Sequence, residues 1–336
     1  MILITGGTGL VGAHLLYKLV TANKRVRALY RTAESRSGVE QVFSYYTENY
    51  KPLYDSIEWV EADLLDIPKL TEAFKNVSYV YHAAALISFA PNDSERLRKT
   101  NIEGTANIVN LCLSCNIKKL CYVSSIATLG DTVKNTSVNE DTDWNPEKDN
   151  SMYSITKYGA EMEVWRGTQE GLDAVIVNPG VIIGSGMWHR GSGQLFQRVY
   201  AGLSFYTSGH VACVTIDDVV SCMIGLLEST IKNERFILVA SHIPYKDFLE
   251  HIAKALNKKP PTIMAKPWLL ALIWRLDWLK HTLFRTPRKL TKQMVYSIQD
   301  RTHYNNTKVK TALGFKFTPV TKAIETVGNH FLQDKH

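Results

Sequence analysis

The amino-acid sequence predicts an α/β fold in which helices cover both faces of a doubly wound parallel sheet. Two observations carry this prediction. Short β-branched runs alternate with longer amphipathic segments as far as about residue 177, and a glycine-rich turn follows the first run. Strands that alternate with helices form βαβ units, whose strands are parallel and buried on both faces.

The elements follow from the spacing of the apolar residues along the chain. Strands are predicted at residues 2–5, 25–30, 57–62, 79–83, 119–124 and 174–177, and helices at 10–21, 101–115 and 151–170. Residues 214–227 and 236–239 are predicted to rejoin the same core. The chain from about residue 242 onward is predicted to be mostly helical.

The composition is that of a globular protein. The chain has 336 residues, of which 45% are hydrophobic and 21% charged, and this excludes disorder and fibrous repeats. No uncharged apolar run approaches the roughly 18 residues that a membrane-spanning helix needs. The five cysteines are spread thinly, as expected where thiols stay reduced. We therefore expect a cytoplasmic protein without a disulfide framework.

The net charge of +7 is concentrated in one part of the chain. Residues 251–292 hold ten Lys and Arg against one acid, Asp277, so the other 294 residues carry 29 bases and 31 acids, a net charge of −2. The basic, tryptophan-containing stretch 266–292 has three interpretations: a solvated helical face, a peripheral anchor on anionic lipid, or a cap that attracts an anionic substrate. The first is favoured, because the charges do not share one face. No nucleic-acid partner is expected, since no binding motif accompanies the charge.

The first predicted strand runs directly into the glycine-rich segment Thr5-Gly6-Gly7-Thr8-Gly9-Leu10-Val11-Gly12. Glycines permit a tight turn, a close approach of the backbone to a pyrophosphate and close packing of the next helix. This context predicts a Rossmann-type dinucleotide-binding domain of residues 1–180 and about 212–242. A smaller, interleaved, mostly helical substrate-binding lobe is predicted for about 181–211 and 243–330.

The end of the second strand indicates which dinucleotide is bound. A dinucleotide fold places its ribose-recognising group there, and a carboxylate would bind the 2′-hydroxyl of NAD. This chain has Arg31, with Arg27 and Arg36 nearby, so NADP(H) is favoured and NAD(H) is the alternative. In that alternative Arg31 is a solvated charge and Glu34 contacts the ribose.

Tyr153 and Lys157 are four residues apart and therefore share one face of a helix. A phenol has a pKa of about 10, but a neighbouring ammonium favours the phenolate, and the pair can then exchange a proton with a carbonyl oxygen. Ser125, at the end of the preceding strand, offers a hydroxyl to the same oxygen. Tyr304 and Lys308 have the same spacing without this context.

Together these segments resemble the extended short-chain dehydrogenase/reductase family. The match covers about the first 185 residues and includes the glycine-rich turn, Ala62-Asp63-Leu64, His82-Ala83-Ala84-Ala85, Asn101, Val123-Ser124-Ser125, Tyr153-x-x-x-Lys157 and Asn178-Pro179-Gly180. The resemblance implies that Asp63 and Leu64 lie near the adenine and that Ala83 to Ala85 line the nicotinamide ribose. It implies a catalytic set of Ser125, Tyr153 and Lys157, and places Pro179 to Ile182 near the nicotinamide.

The cofactor-binding residues predicted on these grounds are Gly6, Gly9, Leu10, Val11, Gly12, Arg31, Asp63, Leu64, Ala83, Ala84, Ala85, Asn101, Ser124, Tyr153, Lys157, Pro179, Gly180, Val181 and Ile182. No metal site is expected. The Cys112-x-x-Cys115 pair is interpreted as small helix residues rather than as metal ligands.

Details of the motifs favour carbonyl reductases over nucleotide-sugar enzymes within this family. Ser154 stands where sugar-nucleotide members commonly have glycine, and Val177-Asn178 stands where they begin with arginine. The sequence is similar to dihydroflavonol reductases and 3β-hydroxysteroid-dehydrogenase-like proteins. Thr156 departs from the usual serine before the lysine but keeps the hydroxyl.

Six residues are predicted to form a substrate wall because they fall in loop-rich, aromatic segments beside the predicted site: Phe89, Met187, Trp188, His189, Phe205 and Tyr206. Aromatic side chains in such loops suit a flat apolar substrate. Packing between the two lobes is the alternative for each of them.

The sequence therefore predicts an NADP(H)-dependent oxidoreductase that interconverts a ketone or aldehyde and an alcohol on a hydrophobic organic substrate. An NAD-dependent nucleotide-sugar epimerase or dehydratase is the alternative, and a non-catalytic nucleotide sensor is a third hypothesis. The resemblance also implies a homodimer through helices 101–115 and 151–170.

Overall fold

The computed structural model describes residues 1–131, 137–284 and 291–335. The strands in these residues are β1 (Ile2–Thr5), β2 (Val26–Tyr30), β3 (Glu58–Glu61), β4 (Tyr79–His82), β5 (Lys119–Val123), β6 (Ala174–Pro179), β7 (Val181–Ile183), β8 (Phe205–Tyr206), β9 (His210–Thr215), β10 (Glu234–Leu238), β11 (Ser241–Pro244) and β12 (Ile263–Met264).

The α-helices in the same residues are α1 (Leu10–Thr21), α2 (Ser37–Ser44), α3 (Lys51–Asp55), α4 (Ile67–Ala73), α5 (Ser94–Leu97), α6 (Gly104–Ser114), α7 (Met152–Gln169), α8 (Gly193–Tyr200), α9 (Ile216–Glu228), α10 (Tyr245–Ala255), α11 (Pro267–Phe284), α12 (Lys292–Ser297), α13 (Thr307–Leu313) and α14 (Val320–Gln333). A π-helical turn, Arg98–Glu103, precedes α6, and a 3₁₀ turn, Ile126–Thr128, follows β5.

The main sheet has a point at which the direction of winding reverses. Its order is β10-β6-β5-β4-β1-β2-β3, and all neighbouring strands pair in parallel. The chain moves outward from β1 to β3, then crosses to β4 and moves outward the other way. In open sheets of this kind ligands bind beyond the carboxyl ends of the strands at such a point, here between β1 and β4.

Each face of the sheet is covered by its own apolar core. One core contains Leu15 and Leu16 of α1, Phe43 of α2 and Val219 of α9. The opposite core contains Leu70 of α4 and residues of α6 and α7, among them Ile108, Val109, Ala160 and Val164. The central strands are buried on both sides, which explains why their sequences are continuously apolar.

The smaller lobe has a separate core around a small sheet of order β11-β9-β7. Helices α8, α10 and α14 pack there through Phe196, Phe248 and Phe331. The chain passes from the main sheet into this lobe at Gly180, between β6 and β7. A Cβ atom on Gly180 would lie 2.4 Å from the Ala212 carbonyl oxygen, so the crossing requires glycine.

The predicted doubly wound fold is confirmed, and most predicted elements shift by only one or two residues at their ends. Strand β10 completes the main sheet, as predicted for residues 236–239. The predicted boundary near residue 212 falls inside β9, which pairs with β7 and β11 in the small sheet rather than with the main one. Residues 285–290 of the predicted basic stretch lie outside the described residues.

No helix among the described residues is both long enough and apolar enough to cross a membrane. All five cysteines are free, and Cys115 alone among them is exposed. Nowhere in residues 1–131, 137–284 or 291–335 do three or more His, Cys, Asp or Glu side chains form a group that could hold a metal ion.

Candidate active site

The glycine-rich turn lies at the switch point, between β1 and the N-terminus of α1. The Gly9 amide donates to the Gly6 carbonyl over 2.9 Å, which closes the turn. Gly6 has a φ of +68°, and a Cβ atom there would lie 2.6 Å from the Ala84 amide nitrogen. A Cβ atom on Gly12 would lie 2.1 Å from the Gly6 carbonyl oxygen. Glycine is therefore required at both positions.

The first turn of α1 suits a pyrophosphate. Gly9 is the N-cap and has no side chain that could cap the helix, and Leu10, Val11 and Gly12 follow without an acidic residue. The first N–H groups of a helix have no partner within it, and together with the helix dipole they attract anions. These residues thus fit the phosphates of a dinucleotide.

Of the three arginines predicted near the end of β2, Arg31 is the one whose side chain is open to solvent. Arg31 is exposed, whereas the Arg36 guanidinium lies 4.9 Å from the Tyr30 ring centroid. Arg27 is buried and donates to Glu58, to the Ala73 carbonyl and to the Lys75 carbonyl. Arg27 therefore braces β2 and does not belong to the cofactor cluster that the sequence suggested.

The residues predicted around the adenine and the ribose surround the same end of the sheet. Asp63 is exposed and its carboxylate accepts from the Leu65 amide, while Leu64 is buried beneath it. Ala83 and Ala84 follow β4 and are half-buried, whereas Ala85 is exposed.

Asn101 and Ser124, predicted to bind the cofactor, use their side chains within the protein. The Asn101 amide is paired with both backbone groups of Leu86 and with the Thr156 hydroxyl, so it braces the loop after β4 against α7. The Ser124 hydroxyl donates to Glu161 over 2.5 Å. Both residues therefore hold the neighbouring loops of the site in place through their side chains.

The three predicted catalytic residues come from two neighbouring elements. Ser125 caps the 3₁₀ turn after β5, where its hydroxyl accepts from the Ala127 amide over 3.1 Å. Tyr153 and Lys157 lie on the first two turns of α7, and Tyr153 forms a side-chain hydrogen bond with Ser125. Tyr304, by contrast, precedes α13, and Lys308 pairs with Glu234. The second Tyr-Lys pair therefore forms no comparable site.

Burial sets the titration of this group more than the neighbouring charges do. It raises the pKa of Tyr153, and the hydrogen bond with Ser125 opposes the rise. Burial also lowers the pKa of Lys157 to about 7, against an opposing effect of Glu161. The sequence argument expected the Lys157 ammonium to lower the pKa of Tyr153. The ammonium instead donates to the Tyr122 hydroxyl over 2.7 Å and to the Val123 carbonyl over 2.8 Å.

A buried histidine packs on Tyr122 and makes two further hydrogen bonds, and the sequence analysis missed this arrangement. His82 stacks on Tyr122 with ring centroids 5.4 Å apart. Its Nε2 and Nδ1 atoms pair with the hydroxyls of Thr105 and Thr5, at 2.9 and 2.6 Å. Burial lowers the pKa of His82 to about 3, with a further contribution from Lys157, so His82 is neutral. This arrangement links the lysine to the strand that carries the glycine-rich turn.

The sequence analysis also missed a buried carboxylate behind the catalytic serine. Glu161 is fully buried, one helical turn after Lys157. It accepts from the Ser124 hydroxyl, the Thr128 hydroxyl at 2.8 Å and the Asn178 amide at 3.0 Å. Arg235 of β10 pairs with it at 3.1 Å. The single hint in the sequence is its position four residues after Lys157, on the same helical face.

Asn178 completes this network, because its amide also donates to the Ser125 carbonyl over 3.2 Å. Beyond it, Pro179 ends β6 at the carboxyl edge of the sheet, Gly180 connects the two strands, and Val181 and Ile182 begin β7 half-buried. The predicted nicotinamide segment therefore lies directly after the residues that hold the serine loop.

The structure separates the six predicted substrate residues. Phe89 is exposed beside Tyr153, with ring centroids 5.8 Å apart. Met187 lies against Gly38 of α2. Trp188 is buried in the lobe core, where its indole nitrogen donates to Asp334, so we assign it a packing role.

The remaining three residues of that set lie on the lobe surface. His189 is exposed, and its imidazole pairs with Gln197. Phe205 and Tyr206 form β8, which pairs with Ile263 and Met264 of β12. Of the six, Phe89 is therefore the one that the structure brings into ring contact with Tyr153.

Comparison with known proteins identifies the class of protein that this fold and site define. The chain matches UDP-glucose 4-epimerase from Thermotoga maritima with a TM-score of 0.78 and 19% identity, covering 100% of this chain and 99% of that one. It is 25% identical over 291 residues to Sterol demethylase protein B of Methylococcus capsulatus, covering 85% of this chain and 84% of that protein. It is 26% identical over 262 residues to Tetraketide alpha-pyrone reductase 2 of Arabidopsis thaliana, covering 74% and 80%.

The family model for the NAD dependent epimerase/dehydratase family matches residues 2–238. The chain belongs to this family. It is an NAD(P)-dependent oxidoreductase of the extended short-chain dehydrogenase/reductase type, as the resemblance implied.

Glu161→Gln should lower the free energy of unfolding by about 3 kcal/mol, because it removes the buried carboxylate that pairs with the largely buried Arg235 side chain. Urea unfolding of the cofactor-free protein measures the change. Glu163→Gln is the matched control on the same helix, where the pair with Arg166 is partly exposed, and it should cost at most about 0.5 kcal/mol. Equal losses in the two variants would contradict the account of the buried network.

The pH dependence of stability should reveal the buried lysine. Between its folded pKa of about 7 and its ordinary value of 10.5, Lys157 holds a proton only in the unfolded chain. Stability therefore rises with pH in that window. The free energy of unfolding of the wild type, relative to Lys157→Met, should increase from about pH 6 to about pH 9.

The exposed Lys148, which pairs with Asp131, supplies the control for this measurement. The difference between the wild type and Lys148→Met should stay flat over the same range. A flat difference for Lys157→Met as well would show that Lys157 keeps its ordinary pKa in the folded protein.

Proposed function

We propose that the chain is an NADP(H)-dependent oxidoreductase that interconverts a ketone or aldehyde and an alcohol on a hydrophobic organic substrate. The observation that carries the proposal is the exposed apolar loop beside Tyr153. Phe89 lies next to Tyr153 with ring centroids 5.8 Å apart, and Ile87, two residues earlier in the same loop, is exposed as well. A sugar nucleotide is polar along its whole length, whereas this loop suits a flat apolar molecule.

The position of each residue indicates the role that we propose for it. The glycine-rich turn and the N-terminus of α1 would hold the pyrophosphate, and Arg31 would pair with a 2′-phosphate. When bound, NADP(H) supplies or accepts the hydride. Tyr153 donates or accepts the proton at the substrate oxygen, and Ser125 hydrogen-bonds the same oxygen.

Lys157 supports this proton transfer from below. It lies within one helical turn of Tyr153 and donates to the Tyr122 hydroxyl and the Val123 carbonyl, so it holds the end of β5 that leads into Ser125. A pKa near 7 lets it change its charge around neutral pH. Phe89 would lie against one face of the substrate.

The relatives supply independent support for the substrate class. One is named for sterol demethylation and another for the reduction of a tetraketide pyrone, and both names refer to ring compounds rather than to nucleotide sugars. The family also contains epimerases and dehydratases, which recycle a bound NAD. Nucleotide-sugar epimerisation is therefore the outcome that the experiments below must separate from net reduction.

Tyr153→Phe should lower turnover by about 10²- to 10⁴-fold while leaving NADPH binding nearly intact, because it removes the proton donor and keeps the ring. The assay follows NADPH absorbance with a panel of apolar ketones and aldehydes. Tyr304→Phe is the matched control, since it belongs to the second Tyr-Lys pair and should retain full turnover. Full activity in Tyr153→Phe would exclude the assigned role.

Arg31→Ala should weaken NADPH binding about 10- to 100-fold and leave NADH binding unchanged, because only NADPH carries the 2′-phosphate. Fluorescence titration of the cofactor-stripped protein measures both constants. Arg25→Ala, an exposed charge just before β2, should change neither. Tight NAD binding that is indifferent to Arg31 would instead favour the epimerase reaction.

A further inference from the structure

Helix α11 exposes a continuous apolar face to solvent. Trp268, Leu272, Leu276, Leu279 and Leu283 follow one another at spacings of four, four, three and four residues. At 3.6 residues per turn these positions fall on one side of a helix. All five side chains are exposed, Trp268 to 64% and Leu283 to 65%. We call these five residues the apolar face of α11.

The opposite side of the same helix holds it on the lobe. Leu270 is buried and Trp274 is half-buried, and they pack in a small core with Ala265, Val295 and Ile298. Helix α11 is therefore packed on the lobe through one side, and its apolar face on the other side stays exposed to solvent. Single exposed apolar residues are ordinary, but a contiguous stripe of this length indicates a binding surface.

The neighbouring sheet extends this surface. Strand β12 ends only a few residues before α11, and both of its residues, Ile263 and Met264, are exposed. Phe205 of the paired strand β8 is exposed as well. Three exposed apolar side chains therefore lie on the β8–β12 pair that leads into α11, and the sequence suggested one of them, Phe205, as part of a substrate wall.

The charge around this surface selects an anionic partner. Ten Lys and Arg accompany one acid in residues 251–292, although the rest of the chain has a net charge of −2. Lys266, Arg275 and Lys280 lie on or beside the described helix and are exposed. Basic residues that flank a tryptophan- and leucine-rich face are typical of helices that lie in the interface of an anionic bilayer.

Two other occupants fit less well. A second copy of the chain would bring two strongly basic segments together, and like charges repel. Helix α11 is not apolar enough over its 18 residues to cross a membrane. We propose that the apolar face of α11 docks the protein on an anionic lipid bilayer, with the helix lying in the plane of the interface.

Helix packing and one ion pair connect the docking surface to the loop that precedes α7. Helix α12 packs against α11, and Lys292 at its start pairs with Asp149 over 2.6 Å. Asp149 lies in the loop that leads into α7, which carries Tyr153. Docking would hold the enzyme at the bilayer, where an apolar substrate dissolves. Docking itself does not depend on the proposed function.

Vesicle co-sedimentation tests the proposal without any turnover. The wild type should pellet with vesicles of phosphatidylcholine and phosphatidylserine at low salt, less at high salt, and least with phosphatidylcholine alone. Leu276→Asp should weaken binding at least about 10-fold, because it removes buried apolar area and adds a repelled charge. Ile67→Asp is the matched control, since Ile67 of α4 is exposed to 52% and Leu276 to 55%, and it should bind like the wild type.

Three results would overturn the proposal. The first is a wild type that stays in solution with phosphatidylserine vesicles, and the second is an equal effect of Leu276→Asp and Ile67→Asp. The third is a wild-type dimer, seen by sedimentation velocity, that Leu276→Asp converts to a monomer while vesicle binding is absent. Circular dichroism establishes that each variant is folded. Should Leu276→Asp fail to fold, the double variant Arg275→Glu and Lys280→Glu decides, because docking predicts that it loses the salt-sensitive binding.

Discussion

Glu161 buries a carboxylate where the ends of β5, β6 and β10 meet α7, and it is compensated only by side chains from those elements. Ser124 and Thr128 bring the serine loop to it, Asn178 brings β6, and Arg235 brings β10. A buried charge is tolerated only when its partners are in place. The position of Ser125 relative to Tyr153 therefore depends on the same pairing that closes this edge of the sheet.

In the other half of the candidate site, around Lys157 and His82, burial favours the uncharged forms of the side chains. Lys157 and His82 lie among apolar and aromatic groups, and burial lowers the pKa of both. The hydroxyls of Tyr122, Thr105 and Thr5 satisfy their hydrogen bonds without charges. Above the pKa of Lys157, the hydrogen-bonded groups next to Tyr153 are therefore uncharged. The Glu161–Arg235 ion pair lies on the other side of the serine loop. These groups position the Tyr153 hydroxyl as a proton donor, and among them Lys157 changes its charge near neutral pH.

Sequence reasoning reached the parts of this arrangement that local spacing controls. The glycine-rich turn, the alternation of strands and helices and the Tyr153-Lys157 pair each have their signal within a few residues. The Glu161–Arg235 pair joins residues 74 apart, and nothing local announces it. Burial was equally hidden: Arg27 and Trp188 look like site residues in the sequence, but pairing with Glu58 and packing in the lobe core occupy them. The reversal in the expected pKa of Tyr153 has the same origin, because the direction in which Lys157 points is a tertiary property.

The central claim is that this chain carries out net reduction at an apolar carbonyl. The most direct measurement is stoichiometry: the cofactor-stripped protein is incubated with NADPH and apolar ketones or aldehydes, and both the NADPH consumed and the alcohol formed are quantified. The account predicts one alcohol for each NADPH oxidised. A protein that retains NAD through purification and equilibrates two nucleotide sugars without net oxidation of the cofactor would contradict it.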